Sequence, residues 1–274
     1  MSEYRIVTHT FPDLDALCSV WLLKRFGSGH LADAQVYFVP HGQTWRTSKA
    51  DADNHVIHVD TGGGRFDHHH TNDRTCASRL VYESLERREA ALEAIVEYVT
   101  AIDHFEDATW SDALADRYDF GLPEVMEGLK VRGYSDQALC EIVLQALDGV
   151  YASISAKIAA IVLVKETGLK ISTSKGEALA VQTFNDDVIR VGLKMGYVIV
   201  LRRDPLKHYV RIKAHPQSEV DLTGLYQRLV ALDPEASWFL HEDKKQLMNG
   251  TSADKERVVS ELDFEVYVEL LAQV

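Results

Sequence analysis

The segment His9-x-x-x-Asp13-x-Asp15 is the strongest constraint on this chain. It places one imidazole and two carboxylates between a strand-like run, Tyr4-Arg5-Ile6-Val7-Thr8, and an apolar helical pattern reaching about Arg25, with Gly27 near its end. Asp13 reads as the helix N-cap, which explains one carboxylate and leaves the other and His9 without a structural reason. Two more strand-like runs follow, Gln35-Val36-Tyr37-Phe38-Val39 and His55-Val56-Ile57-His58-Val59, the second ending on Asp60. Strand, helix, strand, strand in this order predicts an α/β fold with a parallel sheet. In such sheets polar ligand groups collect at the carboxyl ends of the strands, where His9 and Asp60 fall.

Asp60 opens a second dense cluster. A glycine turn, Gly62-Gly63-Gly64, leads to Asp67-His68-His69-His70. Hard carboxylate oxygens with a few imidazoles suit manganese or magnesium better than a thiolate zinc site. Two such cations sharing a bridging carboxylate form the clamp used for in-line hydrolysis at phosphorus.

His9-Thr10-Phe11-Pro12-Asp13-Leu14-Asp15-Ala16, then Asp60, then Asp67-His68-His69, resembles the DHH phosphoesterase superfamily over the first third of the chain. The close spacing of Val59-Asp60-Thr61-Gly62-Gly63 and Phe66-Asp67-His68-His69 resembles most the melanocyte-proliferating-gene branch. The resemblance implies a further ligand aspartate after a helix. Asp103, in Ala101-Ile102-Asp103-His104, fits best, with Asp107 and Asp112 as weaker candidates. It implies one cation on His9, Asp13 and Asp60, and a second on Asp15, Asp60, His68 and Asp103. Asp67 would orient a histidine ring, and His69 would face the substrate phosphate or leaving oxygen. His70 exceeds the motif. The implied cofactor is two Mn2+ ions, with Mg2+ as the alternative.

The rest of the chain is less specific. Residues 78–102 read as helical, and helices dominate to Gly168, including a long apolar stretch from Asp136 to Glu166. Beyond it lie strand-like runs at 178–184, 197–201 and 209–213, and helices at 222–232 and 264–272. The expected organisation is a metal-binding domain over 1–168 and a smaller α+β substrate-binding domain over 169–274. That second part lacks the glycine-rich, histidine-bearing motif that many DHH enzymes use to grip a nucleotide. Its candidates for substrate binding are Arg202 and Arg203, in a basic stretch with Lys207, His208, Arg211 and Lys213, and Lys244-Lys245. Trp238 and Phe239 suit a core strand better than a base-stacking platform.

A formal net charge of −13 disfavours long duplex nucleic acid, whose affinity comes mostly from phosphate neutralisation. Three widely spaced cysteines fit a reducing cytoplasm better than a disulfide framework, and Cys18 falls on the apolar face of the first helix. With no uninterrupted run of eighteen apolar residues, no membrane span is expected. The expected activity is metal-dependent hydrolysis of phosphodiester or phosphomonoester bonds in short oligonucleotides or nucleotides, by a cytoplasmic protein for which a homodimer is open. The alternatives are a manganese-dependent inorganic pyrophosphatase, and a nucleotide-binding regulatory module without turnover.

Overall fold

The computed structural model describes residues 4–250 and 256–274. The chain divides into two compact units, Met1–Ile154 and Ser155–Val274.

The first unit is built on a parallel sheet in the order β2-β1-β3, with β1 Arg5–His9, β2 Gln35–Val39 and β3 Val56–His58. Helix α1 (Leu14–Phe26) starts shortly after β1 ends. Asp13 caps it, accepting from the Ala16 amide at 2.9 Å. Every residue from Leu14 to Leu23 is buried. A helix apolar on nearly all sides belongs inside a domain, and α1 packs against β1, α2 (Ala77–Ser84) and α3 (Ala90–Asp103). Ile6, Leu17, Trp21, Ile57, Leu92 and Val96 share the resulting core. Trp21 donates its indole N–H to Asp148 at 3.0 Å, satisfying its one polar side-chain atom.

Residues 78–102, read from sequence as one helical pattern, form two helices. Arg88 ends the first by donating to the carbonyls of Tyr82 and Leu85 at 3.3 and 2.7 Å. A side chain that satisfies terminal carbonyls takes the place of another helical turn. Helix α4 (Leu122–Val131) follows, and then α5 (Asp136–Thr167), which passes from the first unit into the second. The sequence reading puts the domain boundary at the end of α5, where helical character gives way to strands. The packing divides within the helix: Leu139, Val143 and Leu147 join the first core, whereas Ala160 and Val164 pack with Leu179, Val181 and Val200. An apolar pattern that runs on through a continuous helix carries no mark of where its neighbours change. Helix α5 also has the length and composition to cross a membrane, and only 17% of its most apolar stretch is buried. Its apolar sequence is interrupted by polar residues such as Gln145, Asp148 and Ser153, which is why no unbroken apolar run marks it.

The second unit is a six-stranded mixed sheet, order β4-β5-β6-β7-β9-β8. Its strands are β4 Leu169–Thr173, β5 Gly176–Gln182, β6 Ile199–Arg203, β7 Val210–Ala214, β8 Trp238–Leu240 and β9 Gln246–Asn249. Strands β5 and β6 pair in parallel, joined through α6 (Asp187–Lys194), and the other described pairs are antiparallel. Helices α7 (Thr223–Leu232) and α8 (Phe264–Leu271) pack on Ile199, Leu201, Val210 and Ile212. The three cysteines are free and buried.

Gly27 closes α1, its amide donating to the Leu23 carbonyl at 3.0 Å. A Cβ there would lie 2.4 Å from that carbonyl oxygen and 2.9 Å from Leu31 Cδ1. The Gly27→Ala variant should therefore lose about 1–3 kcal/mol of stability through overpacking against backbone. Urea denaturation measures this, and an unchanged midpoint would contradict the geometry.

Candidate metal centre

Parallel register brings the two sequence clusters together. Val7 pairs with His58 and His9 with Val39, so just past the end of β3 the chain delivers Asp60 level with His9. The His9 Nε2 to Asp60 Oδ2 distance is 3.0 Å, with both side chains 2% exposed. His9 Nδ1 lies 2.9 Å from the Thr10 carbonyl, which holds a proton on Nδ1. Burial works to lower the pKa of this ring, but the contacts of Nε2 with Asp60 and of Nδ1 with Thr10 outweigh it and favour the form in which Nε2 also donates. Asp13, while capping α1, keeps Oδ1 3.9 Å from the same Nε2.

Asp15 has a second structural role. Helix α2 has no capping side chain of its own at Cys76. Instead the Asp15 carboxylate accepts from the Ala77 and Ser78 amides at 2.6 and 2.7 Å. An anion at a helix N-terminus is favoured by the unsatisfied amides and by the helix dipole, and here it locks α1 to α2. Asp15 Oδ2 lies 3.8 Å from His68 Nε2. Asp103, the last residue of α3, lies 3.6 Å from the same nitrogen.

The turn after Asp60 delivers His68. Asp60 has left-handed backbone (φ 55), as do Gly62 and Gly63, and its amide donates to the Phe66 carbonyl at 2.8 Å. At Gly62 a Cβ would stand 2.8 Å from Thr44 Cγ2. Asp67 accepts from the Gly63 amide at 2.7 Å, and its other oxygen lies 2.7 Å from His69 Nδ1. The ring that Asp67 orients is thus that of His69, whose side chain is 61% exposed. His70 is exposed.

Three overlapping groups result: His9, Asp13 and Asp60; Asp15, His68 and Asp103; and Asp60, His68 and His69. Within each, the ligand atoms lie within 4.8 Å of one another. Asp60 Oδ1 and His68 Nε2 are buried, 3.4 Å apart, and neither has a hydrogen-bond partner. Buried polar atoms without partners are costly, and two facing each other among carboxylates and imidazoles fit the donor set of a hard divalent cation. Without cations, protons compensate the charge. Burial and the neighbouring Asp60 push Asp15 up to about 7, and contact with Asp60, then Asp103 and Asp15, pushes His68 up to about 9. Burial works to raise Asp60 as well, but His68 and His9 outweigh it and hold this carboxyl below the ordinary range.

Two features escaped the sequence reading. His41, just past the end of β2, stacks on His9 with centroids 4.0 Å apart; its position at a strand's carboxyl end is the signal that would have found it. A cavity of about 290 Å³ lies beside the ligands, lined by Asp13, Asp15 and Asp103 and also by Phe105, Asp107, Glu124 and Glu127. Among the described residues, no lysine or arginine lines it.

The four residues expected to bind substrate belong to the second unit. Arg202 and Arg203 are 4% and 6% exposed and, as neighbours on β6, point to opposite faces of the sheet. Arg202 lies 3.4 Å from Asp186 and 3.3 Å from Asp204, and Arg211, its cross-strand partner, is 3.6 Å from Asp186. The Lys245 amine donates to the Ser218 and Val220 carbonyls at 2.6 and 2.7 Å, while Lys244 is exposed with left-handed backbone.

A parallel three-stranded sheet with a carboxylate–imidazole cluster at its carboxyl edge defines an α/β protein able to hold metal. Residues 6–154, just over half the chain, match the family model described as ChrB, C-terminal domain, and the chain belongs to that family. A comparison with curated proteins returns no match. Among solved structures, the chain is similar to the DHH domain of a protein described as a member of a ribosomal-protein family. Identity is 12% and the TM-score 0.30, over 90% of this chain and 82% of that one. It is also similar to an exopolyphosphatase-related protein from Bacteroides fragilis, at 12% identity and a TM-score of 0.28, over 98% of this chain and 91% of that one.

The upward shifts of Asp15 and His68 have a measurable consequence. A group whose pKa is raised on folding stabilises the native state fully below its unfolded value, and that contribution is lost as pH rises through the folded value. For metal-free protein the loss runs from 3.8 to about 7 for Asp15 and from 6.5 to about 9 for His68. Ligation needs both deprotonated. The gain in Tm on adding Mn2+ to chelator-treated protein should therefore grow steadily from about pH 5 to about pH 9. A gain independent of pH would mean that these groups are not ligands.

Proposed function

We propose that this chain is a metal-dependent phosphoesterase acting on short nucleotide-type substrates. The observation that carries the reading is the convergence of His9, Asp13, Asp15, His68 and Asp103 around Asp60, whose buried Oδ1 faces the equally unpartnered His68 Nε2. His9, Asp13 and Asp60 would hold one cation and Asp15, Asp60, His68 and Asp103 the other, with Mn2+ as the favoured ion. Bound cations would supply positive charge to the phosphoryl oxygens and lower the pKa of an attacking water.

The chain's own groups have separable roles. Asp60 spans both positions because its two oxygens face His9 and His68. The helix α2 amides fix Asp15, so its oxygens cannot turn away. His69 has Nδ1 held by Asp67 and its side chain largely exposed; in its doubly protonated form it would donate the Nε2 proton to the leaving oxygen and keep the Nδ1 proton on Asp67. Ligand order along the chain supports a DHH-type arrangement, and the closeness of Asp60 to Asp67-His68-His69 supports the melanocyte-proliferating-gene branch. A pyrophosphatase is less well supported, since a second phosphoryl group would meet carboxylates in the adjoining cavity.

Mn2+-loaded protein should cleave dinucleotides and short oligonucleotides, and elemental analysis should find about two ions per chain. Asp60→Asn should abolish metal retention and turnover together. His69→Gln should keep the metal while losing roughly 10²–10⁴-fold in kcat. Metal-loaded protein that binds nucleotides tightly and turns over none of these substrates would overturn the enzyme reading in favour of a binding module.

A further inference from the structure

A second site lies away from the metal ligands, at the β3 strand. His58 is 2% exposed. Its Nε2 accepts the Trp45 backbone N–H at 3.0 Å. An imidazole that accepts through Nε2 is neutral and carries its proton on Nδ1. That Nδ1–H is buried and has no partner. His58 lines a cavity of about 230 Å³ together with Trp45 and three cations, Arg5, Arg46 and Lys49.

The charge in this cavity is unusual for the unit that contains it. Residues 1–154 hold 25 Asp and Glu against 13 Lys and Arg, yet three of those cations meet here. Two carboxylates, Asp51 and Asp53, line the cavity as well, within electrostatic reach of His58 and Arg5 respectively, and leave the lining with more cations than anions. Asp51 accepts from the Arg65 amide at 2.7 Å and lies 3.8 Å from the Arg65 guanidinium. Asp53 accepts from the His55 amide at 2.9 Å and lies 3.2 Å from the His55 ring. Arg46 and Thr47 are both held in left-handed backbone, at φ 51 and 60, a strain that persists only where surrounding structure imposes it.

We propose that this cavity binds a small oxyanion, a phosphate or carboxylate group, with the His58 Nδ1–H as its buried donor and Arg46 and Lys49 as its charge partners. A neutral ligand would leave the charge of Arg46 and Lys49 unanswered, and a cation would be repelled by it. The volume is below that of drug-sized pockets, so the ligand is a small metabolite rather than a polymer. The site does not use the metal ligands and does not rest on the phosphoesterase reading.

The test uses full-length protein in excess chelator, labelled with 15N-histidine, and titrated separately with inorganic phosphate and with citrate. The anion that fits should move the His58 Nδ1–H resonance saturably, and the two titrations separate the phosphate source from the carboxylate one. Arg46→Gln and Lys49→Gln should each weaken the response about tenfold or more, a loss in the range of a charge-assisted contact. Asp60→Asn should leave it unchanged, which separates this site from the metal centre. No shift with either anion, or a shift that survives loss of Arg46 and Lys49, would overturn the proposal and leave an ordered water as the partner of Nδ1–H.

Discussion

Repulsion among buried carboxylates is the constraint around which the first unit is organised. Asp15 and Asp60 are almost fully buried, with Asp13 and Asp103 close enough to raise their electrostatic cost. Like charges brought so near in a medium of low polarity oppose folding unless something compensates them. The chain compensates piecemeal: helix α2 amides for Asp15, the Ala16 amide for Asp13, His9 and His68 for Asp60. The contact between Asp60 Oδ1 and His68 Nε2, 3.4 Å apart, is electrostatic without the geometry of a hydrogen bond, at the point where the two clusters meet. A site assembled against its own repulsion has the character of a candidate cation site, and the stability of the unit is coupled to it.

Charge is distributed unevenly between the units. Residues 155–274 hold 17 acidic against 16 basic side chains, so nearly all the net acidity belongs to the unit with the metal centre. The field of that unit opposes the approach of anions and favours that of cations. The cavity beside the ligands, walled by Asp107, Glu124 and Glu127, favours hydrogen-bond donors over further phosphate. The basic cavity around His58 is the exception in this unit.

Much of the first unit was legible because its signals are local. A strand ending on His9, a capping Asp13 and a strand ending on Asp60 each follow from a few adjacent residues, and the strand-end rule for α/β sheets converts them into one place. Other features were hidden because they depend on pairings distant in sequence. Nothing near Asp15 announces that it caps a helix beginning at Ala77. The break between α2 and α3 depends on Arg88 reaching back to carbonyls, and strands β4 and β9 are too short or too polar to show without their neighbours. Arg202 and Arg203 read as part of a basic stretch suited to substrate binding, yet both are buried, because strand pairing and not charge decides which residues of β6 are covered.

The residue types of the candidate metal centre, their order, and their location at strand and helix ends were determined by sequence alone, since strand and cap signals act over a handful of residues. Tertiary structure decided the rest. The register of β1 against β3 made Asp60 common to two groups, and the packing of α1 on α2 gave Asp15 its fixed orientation. The turn after Asp60 assigned Asp67 to His69 and turned His68 inward. The physical reason is the same in each case: a side chain's neighbours across a sheet or between helices are set by long-range pairing, and the order of residues along the chain specifies that pairing only through the folded core as a whole.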